Sequence, residues 1–301
     1  MRAKPIFLIL LVITVVYTNC KNDKTENRED KNVVTKKGSS KRDNLNISIF
    51  LDLSDRIDPI KYGNSSMEFY LRDLGYIESI SKGFEKHLMS KRIVENNDQI
   101  QLYFDPEPSN RAINNLAKEL KLSYLKSTTT KDMILGMSQK YISNSREIYR
   151  QAIEDKNYVG SDIWGFFKSK VSDYCIKPNH RNILFILTDG YMFFKDSNFM
   201  IENRSSYITP QLIKLLGLNT ANYSAKIRDN GYSFIKTNED LSSLEIVLLG
   251  VNPAKGNPFE GDVINEYWSK WFNDMKVKKY IIKQTDLPSN LDPIIQAYIN
   301  R

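Results

Sequence analysis

The chain is poor in the residues that most often give a function away. It has 2 cysteines, Cys20 and Cys175, and 2 histidines, His87 and His180, in 301 residues. None of the four stands at zinc-ligand spacing from another, which argues against a structural zinc site. Two cysteines cannot build a disulfide framework. There is no Gly-x-Ser-x-Gly nucleophile motif and no Gly-rich phosphate loop. The usual signatures of a serine hydrolase and of a nucleotide-cradling enzyme are therefore missing. No internal repeat is seen. The net charge of +7 is mild. Its cations are dispersed, and nucleic-acid binding needs a basic cluster, so none is expected.

Pro5 to Tyr17 is a nearly continuous apolar run, preceded by Arg2 and Lys4. It is too short for a comfortable membrane span and has the length of a signal-peptide core. Tyr17-Thr-Asn-Cys20 follows, and the whole segment resembles a bacterial lipoprotein signal, with Tyr17 and Asn19 departing from the usual residues of that box. The resemblance implies a signal peptide over 1–19 and lipidation of Cys20. It places the protein in the cell envelope as a membrane-anchored lipoprotein facing the periplasm or the cell surface. Removing the leader leaves 41 basic against 36 acidic residues, and lipidation of Cys20 would leave Cys175 without a partner. Residues 20–46 read as a disordered tether, since a polar stretch without aromatics cannot offset its ordering entropy.

The domain proper is expected over 47–301, with strands and helices in alternation. Ile47–Leu51, Asn182–Leu187 and Leu244–Val251 are apolar runs of strand length, as in strands buried on both faces. Asp98–Phe104 alternates, and a last strand is expected at Lys279–Ile282. Helical spacing is read at 67–91, 111–122, 138–156, 162–174, 260–275 and 292–299. His87 reads as a surface or capping residue. Residues 190–243 form a long aromatic insertion with one short helix near Pro210–Leu216, its aromatics expected chiefly in its own core. The fold class is α/β, a doubly wound, mainly parallel sheet flanked by helices.

Two of these strands end in acids. Ile47–Leu51 delivers Asp52, Ser54, Asp55 and Arg56, and Asn182–Leu187 delivers Thr188, Asp189 and Gly190. Open α/β sheets build their sites at such strand ends. If the two strands are parallel neighbours, Asp52 and Asp189 face each other across one crevice. Two carboxylates and a hydroxyl there suit a hard divalent cation. With Gly160-Ser161-Asp162 opening a helix, the set resembles a von Willebrand factor type A domain and its metal-ion-dependent adhesion site. The resemblance covers about residues 47–285 and implies a vWA- or Rossmann-like sheet. It makes Asp52, Ser54, Ser161 and Asp189 the metal ligands, for Mg²⁺ or else Mn²⁺ or Ca²⁺. It also implies a protein partner that presents an acidic residue to the metal, and no catalysis. Arg56 stands where the family has a serine. With Asp55 and Asp162 it is a candidate modulator of the site, able to pair with Asp55, Asp58 or Asp189.

Two other readings stand beside this one. A Mg²⁺-dependent phosphatase or hydrolase would use the same acids on the same sheet. A metal-free binding domain would let Arg56 take the place of the cation.

Overall fold

The computed structural model describes residues 43–301. The signal peptide, Cys20 and the tether up to Arg42 lie outside the described residues. Arg42–Arg301 forms one compact unit, and both of its hydrophobic clusters lie wholly within it.

In chain order, β1 (Asn44–Leu51) leads through α1 (Phe69–Met89) to β2 (Asn97–Tyr103). Next come α2 (Arg111–Glu119), β3 (Leu122–Leu125), α3 (Lys131–Leu135) and α4 (Met137–Asp155). The short helices α5 (Ile163–Ser169) and α6 (Val171–Cys175) precede β4 (His180–Leu187). An excursion follows, holding β5 (Met200–Ile201), β6 (Arg204–Ser205), α7 (Pro210–Leu215), α8 (Tyr223–Asn230) and β7 (Ser233–Phe234). The chain closes with β8 (Leu244–Val251), α9 (Glu260–Asp274), β9 (Lys279–Gln284) and α10 (Pro288–Ile299).

Six strands form one mixed sheet in the order β3-β2-β1-β4-β8-β9. All its neighbouring pairs are parallel except β2 with β3. Helices flank it, so the protein is α/β. The two-residue period of a strand sorts side chains between the faces. Ile47, Ile49, Leu51, Ile183, Phe185 and Leu187 pack with α1, α4 and α10 in one cluster. Phe50, Leu184, Ile186, Ile246 and Leu248 pack with α5 and α9 in the other.

Several elements differ from the reading of the sequence. β1 starts at Asn44, three residues before its apolar run. Asn46 is held in the strand by polar partners: its side-chain amide donates to the carbonyl of Cys175 (2.9 Å) and to Asn182 Oδ1 (2.7 Å). The helix expected over 162–174 is broken at Lys170, whose backbone leaves the helical region. α10 begins at Pro288, a residue suited to a first helical turn, and tolerates Pro293 within it. The excursion holds a second helix, α8, and a three-stranded sheet of two-residue strands. Among its named aromatics Phe234 is fully buried, while Phe193 and Phe199 are exposed, so the expected aromatic core is only partly formed. Leu71, read onto the apolar face of α1, is exposed. His87 is buried, not a surface cap, because Asp98 Oδ1 lies 2.9 Å from its Nε2 and satisfies the ring. Among the described residues, no helix is long and apolar enough to cross a membrane.

Gly190 turns the chain after β4 with φ +92°, and a Cβ there would meet Ile264 Cγ2 at 2.8 Å. Both the positive φ and the contact oppose any other residue. Gly190→Ala is expected to lower the unfolding free energy by about 1–3 kcal/mol, read by urea denaturation.

Candidate functional site

β1 lies between β2 and β4, so successive connections leave it in opposite directions. In open α/β sheets such a reversal opens a crevice beyond the strand C-termini. Leu51 pairs with Leu187, which makes Asp52 and Thr188 the first residues past the ladder on neighbouring strands. Thr188 Oγ1 donates to Asp52 Oδ2 (2.8 Å), and the Ser54 amide donates to Asp52 Oδ1 (3.0 Å). Asp52 is buried and fixed in direction.

A cleft of about 580 Å³ opens there. Asp52, Ser54, Ser161 and Asp189 all line it. Three separate loops therefore bring together the four residues read as metal ligands. Ser161 enters from the turn before α5. Gly160 makes that turn at φ +85°, and a β-bridge from Ser161 to Phe193 pins it to the excursion. Ser161 is buried and its Oγ has no hydrogen-bond partner. Tyr158, Tyr191, Phe193 and Phe194 make the aromatic rim, with Lys156 and Lys195 also lining the opening.

Asp189 Oδ1 accepts the Tyr191 amide (3.0 Å). Burial, and then the nearby Asp52 carboxylate, push the Asp189 carboxyl up to about 7, with Arg56 only partly opposing. Asp189 keeps some exposure at the cleft, which moderates the burial effect.

Arg56 does not enter the cleft, and it does not pair with Asp55 or Asp58. Its side chain is buried behind β1, and its NH2 group donates to Asp73 Oδ2 (2.6 Å) and to the Leu187 carbonyl (2.9 Å). Its Nε lies 3.3 Å from Asp52 Oδ2. Burial works against the guanidinium charge, but Asp73 and Asp52 outweigh it and raise its pKa. Tyr149 donates to the same Asp73 Oδ2 (2.9 Å). Asp73 and Tyr149 were not singled out from the sequence. Asp73 carried a signal nonetheless: it falls four residues after Phe69 and four before Ile77, on the buried stripe of α1. An acid there needs a buried cation, and Arg56 is it.

The other two candidate modulators separate. Asp55 lines the cleft and is ion-paired with Lys61. Asp162 caps α5, accepting from the Gly165 amide (2.8 Å) and from Ser197 Oγ (2.7 Å). It holds the Ser161 turn in place without lining the cleft.

The donor set fits a hard cation. Asp52 and Asp73 share a single guanidinium, and Asp189 lies near them without one of its own. Ser161 lines the cleft, and its buried hydroxyl is an unpartnered neutral oxygen. Two carboxylates, two hydroxyls and water suit the all-oxygen shell of Mg²⁺. Among the described residues, no group of three or more His, Cys, Asp or Glu stands where it could hold a metal ion; the set here has two carboxylates.

Two outcomes follow. Asp73→Ala strands the buried Arg56 and is expected to cost about 3–5 kcal/mol in chemical denaturation, most of it recovered in the Arg56→Met/Asp73→Leu double variant. The second concerns Asp189. Its carboxyl is raised from 3.8 to about 7 in the fold. The stability it contributes is thus complete below pH 4 and lost as pH rises through 7. Without divalent ions, Asp189→Asn should stabilise the protein at pH 8, on the order of 2 kcal/mol, and leave it unchanged near pH 4. Thermal melts across that range check the sign.

No family model matches the chain, and no curated protein matches it. A crystal structure of the pilus adhesin SpaC from Lactobacillus rhamnosus GG aligns with it at 12% identity and a TM-score of 0.36. The alignment covers 86% of this chain and 30% of the adhesin, so this chain spans under a third of that protein. A likeness at this level leaves the function to be argued from the cleft itself.

Proposed function

We propose that the cleft holds a divalent cation, Mg²⁺ in the first instance, and that the protein is a binding module of the von Willebrand factor type A kind. Asp52, Ser54, Ser161 and Asp189 would ligate the ion. The observation that carries this reading is the convergence of these four residues on one cleft, with the Ser161 hydroxyl buried and unpartnered and Arg56 turned away behind β1.

A cation held by two hydroxyls and two carboxylates keeps coordination positions for water or for an incoming oxygen. A carboxylate from a partner protein satisfies such a position and the charge at once. Tyr158, Tyr191, Phe193 and Phe194 surround the opening with the residue types that anchor protein contacts. The site then acts as an electrostatic latch. The vWA- or Rossmann-like character of the sheet belongs to the same proposal, supported by the strand order and by the crevice between β1 and β4. So does the placement of the domain on a lipid-anchored envelope protein through Cys20.

The metal-free alternative gives Arg56 the cation's role. Arg56 does touch Asp52, but it reaches from the core side and is shared with Asp73 and the Leu187 carbonyl. Asp189 and Ser161 are left for another ion.

Calorimetric titration of Arg42–Arg301 with Mg²⁺ and Mn²⁺ tests this. Saturable binding is expected, weakened at least about tenfold by Asp189→Ala and by Ser161→Ala, each ligand loss costing on the order of 1.4 kcal/mol or more. Absence of binding in the unaltered protein would return the site to Arg56. Hydrolysis of a generic phosphomonoester that is lost in Asp52→Ala would replace the latch by an enzyme.

A further inference from the structure

The opposite end of the sheet has a chemistry of its own. α1 runs back from the cleft end and finishes at Met89, and the link from Ser90 to Asn96 then enters β2. This link lies beside the start of β1, since Lys91 Nζ donates to Asn44 Oδ1 (2.9 Å). Leu125 pairs with Asn97 and belongs to the same end. Met133 follows closely, its carbonyl accepting from Tyr124 (3.4 Å).

This end exposes apolar side chains. Val94 is 66% exposed and Met89 59%, and Ile93, Leu125 and Met133 are exposed beside them. Large apolar tips gathered at one end of a domain mark an interaction surface. They are interleaved with the exposed cations Lys86, Arg92, Lys126 and Lys131, against Glu95, Asp132 and the exposed Asp43 before β1. Arg92 shares its charge with Glu95. The residues leading into β1 extend the pattern. Lys31 to Arg42 contains five cations and no acid, and Asn44 begins β1 at this same end.

We propose that this end of the domain rests on an anionic lipid bilayer. Met89, Ile93 and Val94 would enter the headgroup boundary, and Arg92, Lys126 and Lys131 would meet the lipid phosphates. Short apolar tips set among cations are the composition of an interfacial contact. A basic stretch next to it adds attraction that decays over a Debye length, about 10 Å at 0.1 M salt. The occupant is argued from charge complementarity and from the basic approach to β1. The inference needs no cation in the cleft and no lipid on Cys20. Its consequence is orientation: with β1 rising from the bilayer, the cleft at the strand C-termini faces away from it.

Vesicle co-sedimentation of Lys21–Arg301 tests it, since this length keeps the whole core and the basic stretch Lys31–Arg42 and lacks Cys20. Binding to vesicles of phosphatidylglycerol and phosphatidylcholine in equal parts is expected. It should be several-fold weaker on phosphatidylcholine alone and in about 0.5 M salt, where screening shortens to a few ångström. Ile93→Ser/Val94→Ser and Lys126→Glu/Lys131→Glu should each reduce it at least about fivefold. All four positions are exposed, so both variants should keep the parent melting temperature. Sedimentation that does not depend on vesicles would overturn the proposal, as would binding unchanged in both variants. Self-association that is lost in Ile93→Ser/Val94→Ser, without vesicle binding, would also overturn it and assign the face to a second copy of the chain.

Discussion

Behind β1, one guanidinium is shared by two carboxylates and a carbonyl. Arg56 reaches Asp73 on α1, Asp52 at the end of β1, and the Leu187 carbonyl at the end of β4. A buried arginine is tolerated when nearby carboxylates offset its charge, and here the contact with Asp52 is ionic, Nε making no hydrogen bond. The contact ties one helix to two strands at the point where the sheet opens. It also fixes Asp52 from behind, while Thr188 and the Ser54 amide fix it from the sides. The direction of Asp52, and with it the shape of the cleft, depends on this arrangement.

Arg56 is already engaged with Asp73 and Asp52, so Asp189 has only the Tyr191 amide and the edge of that field. A raised carboxyl and an unpartnered hydroxyl belong to residues that line the same cleft. The residues around them are restrained. Trp268 Nε1 donates to the Gly190 carbonyl (2.8 Å), and the Asn252 amide to the Asp189 carbonyl (2.8 Å). Asp162 caps α5 and holds the turn that carries Ser161. In the proposed reading the two ends of the domain divide the work, a polar latch at the strand C-termini and an apolar, basic surface at the other end.

Much of this was legible in the residues. Strands buried on both faces read as apolar runs, and the acids that end β1 and β4 mark where a site belongs. The convergence of Asp52, Ser54 and Asp189 follows from that pattern once β1 and β4 are neighbours, whereas Ser161 was implied only by the family resemblance. The direction of Arg56 was not legible, because its partner lies 17 residues away on a helix that had been read only for its apolar spacing. Asp73 breaks that spacing, and weighing the break would have found it. His87 was misjudged for a related reason: its partner Asp98 sits on the next strand, and pairing across elements leaves no local trace. The excursion after β4 escaped because two-residue strands have no period to detect.

The central claim is that the cleft takes a metal while Arg56 stays behind β1. Anomalous diffraction from crystals of Arg42–Arg301 grown with Mn²⁺ tests it most directly. The account predicts one strong peak bounded by Asp52, Ser54, Ser161 and Asp189, with Arg56 still on Asp73. A cleft without a peak, and with the Arg56 guanidinium swung forward onto Asp189, would contradict it.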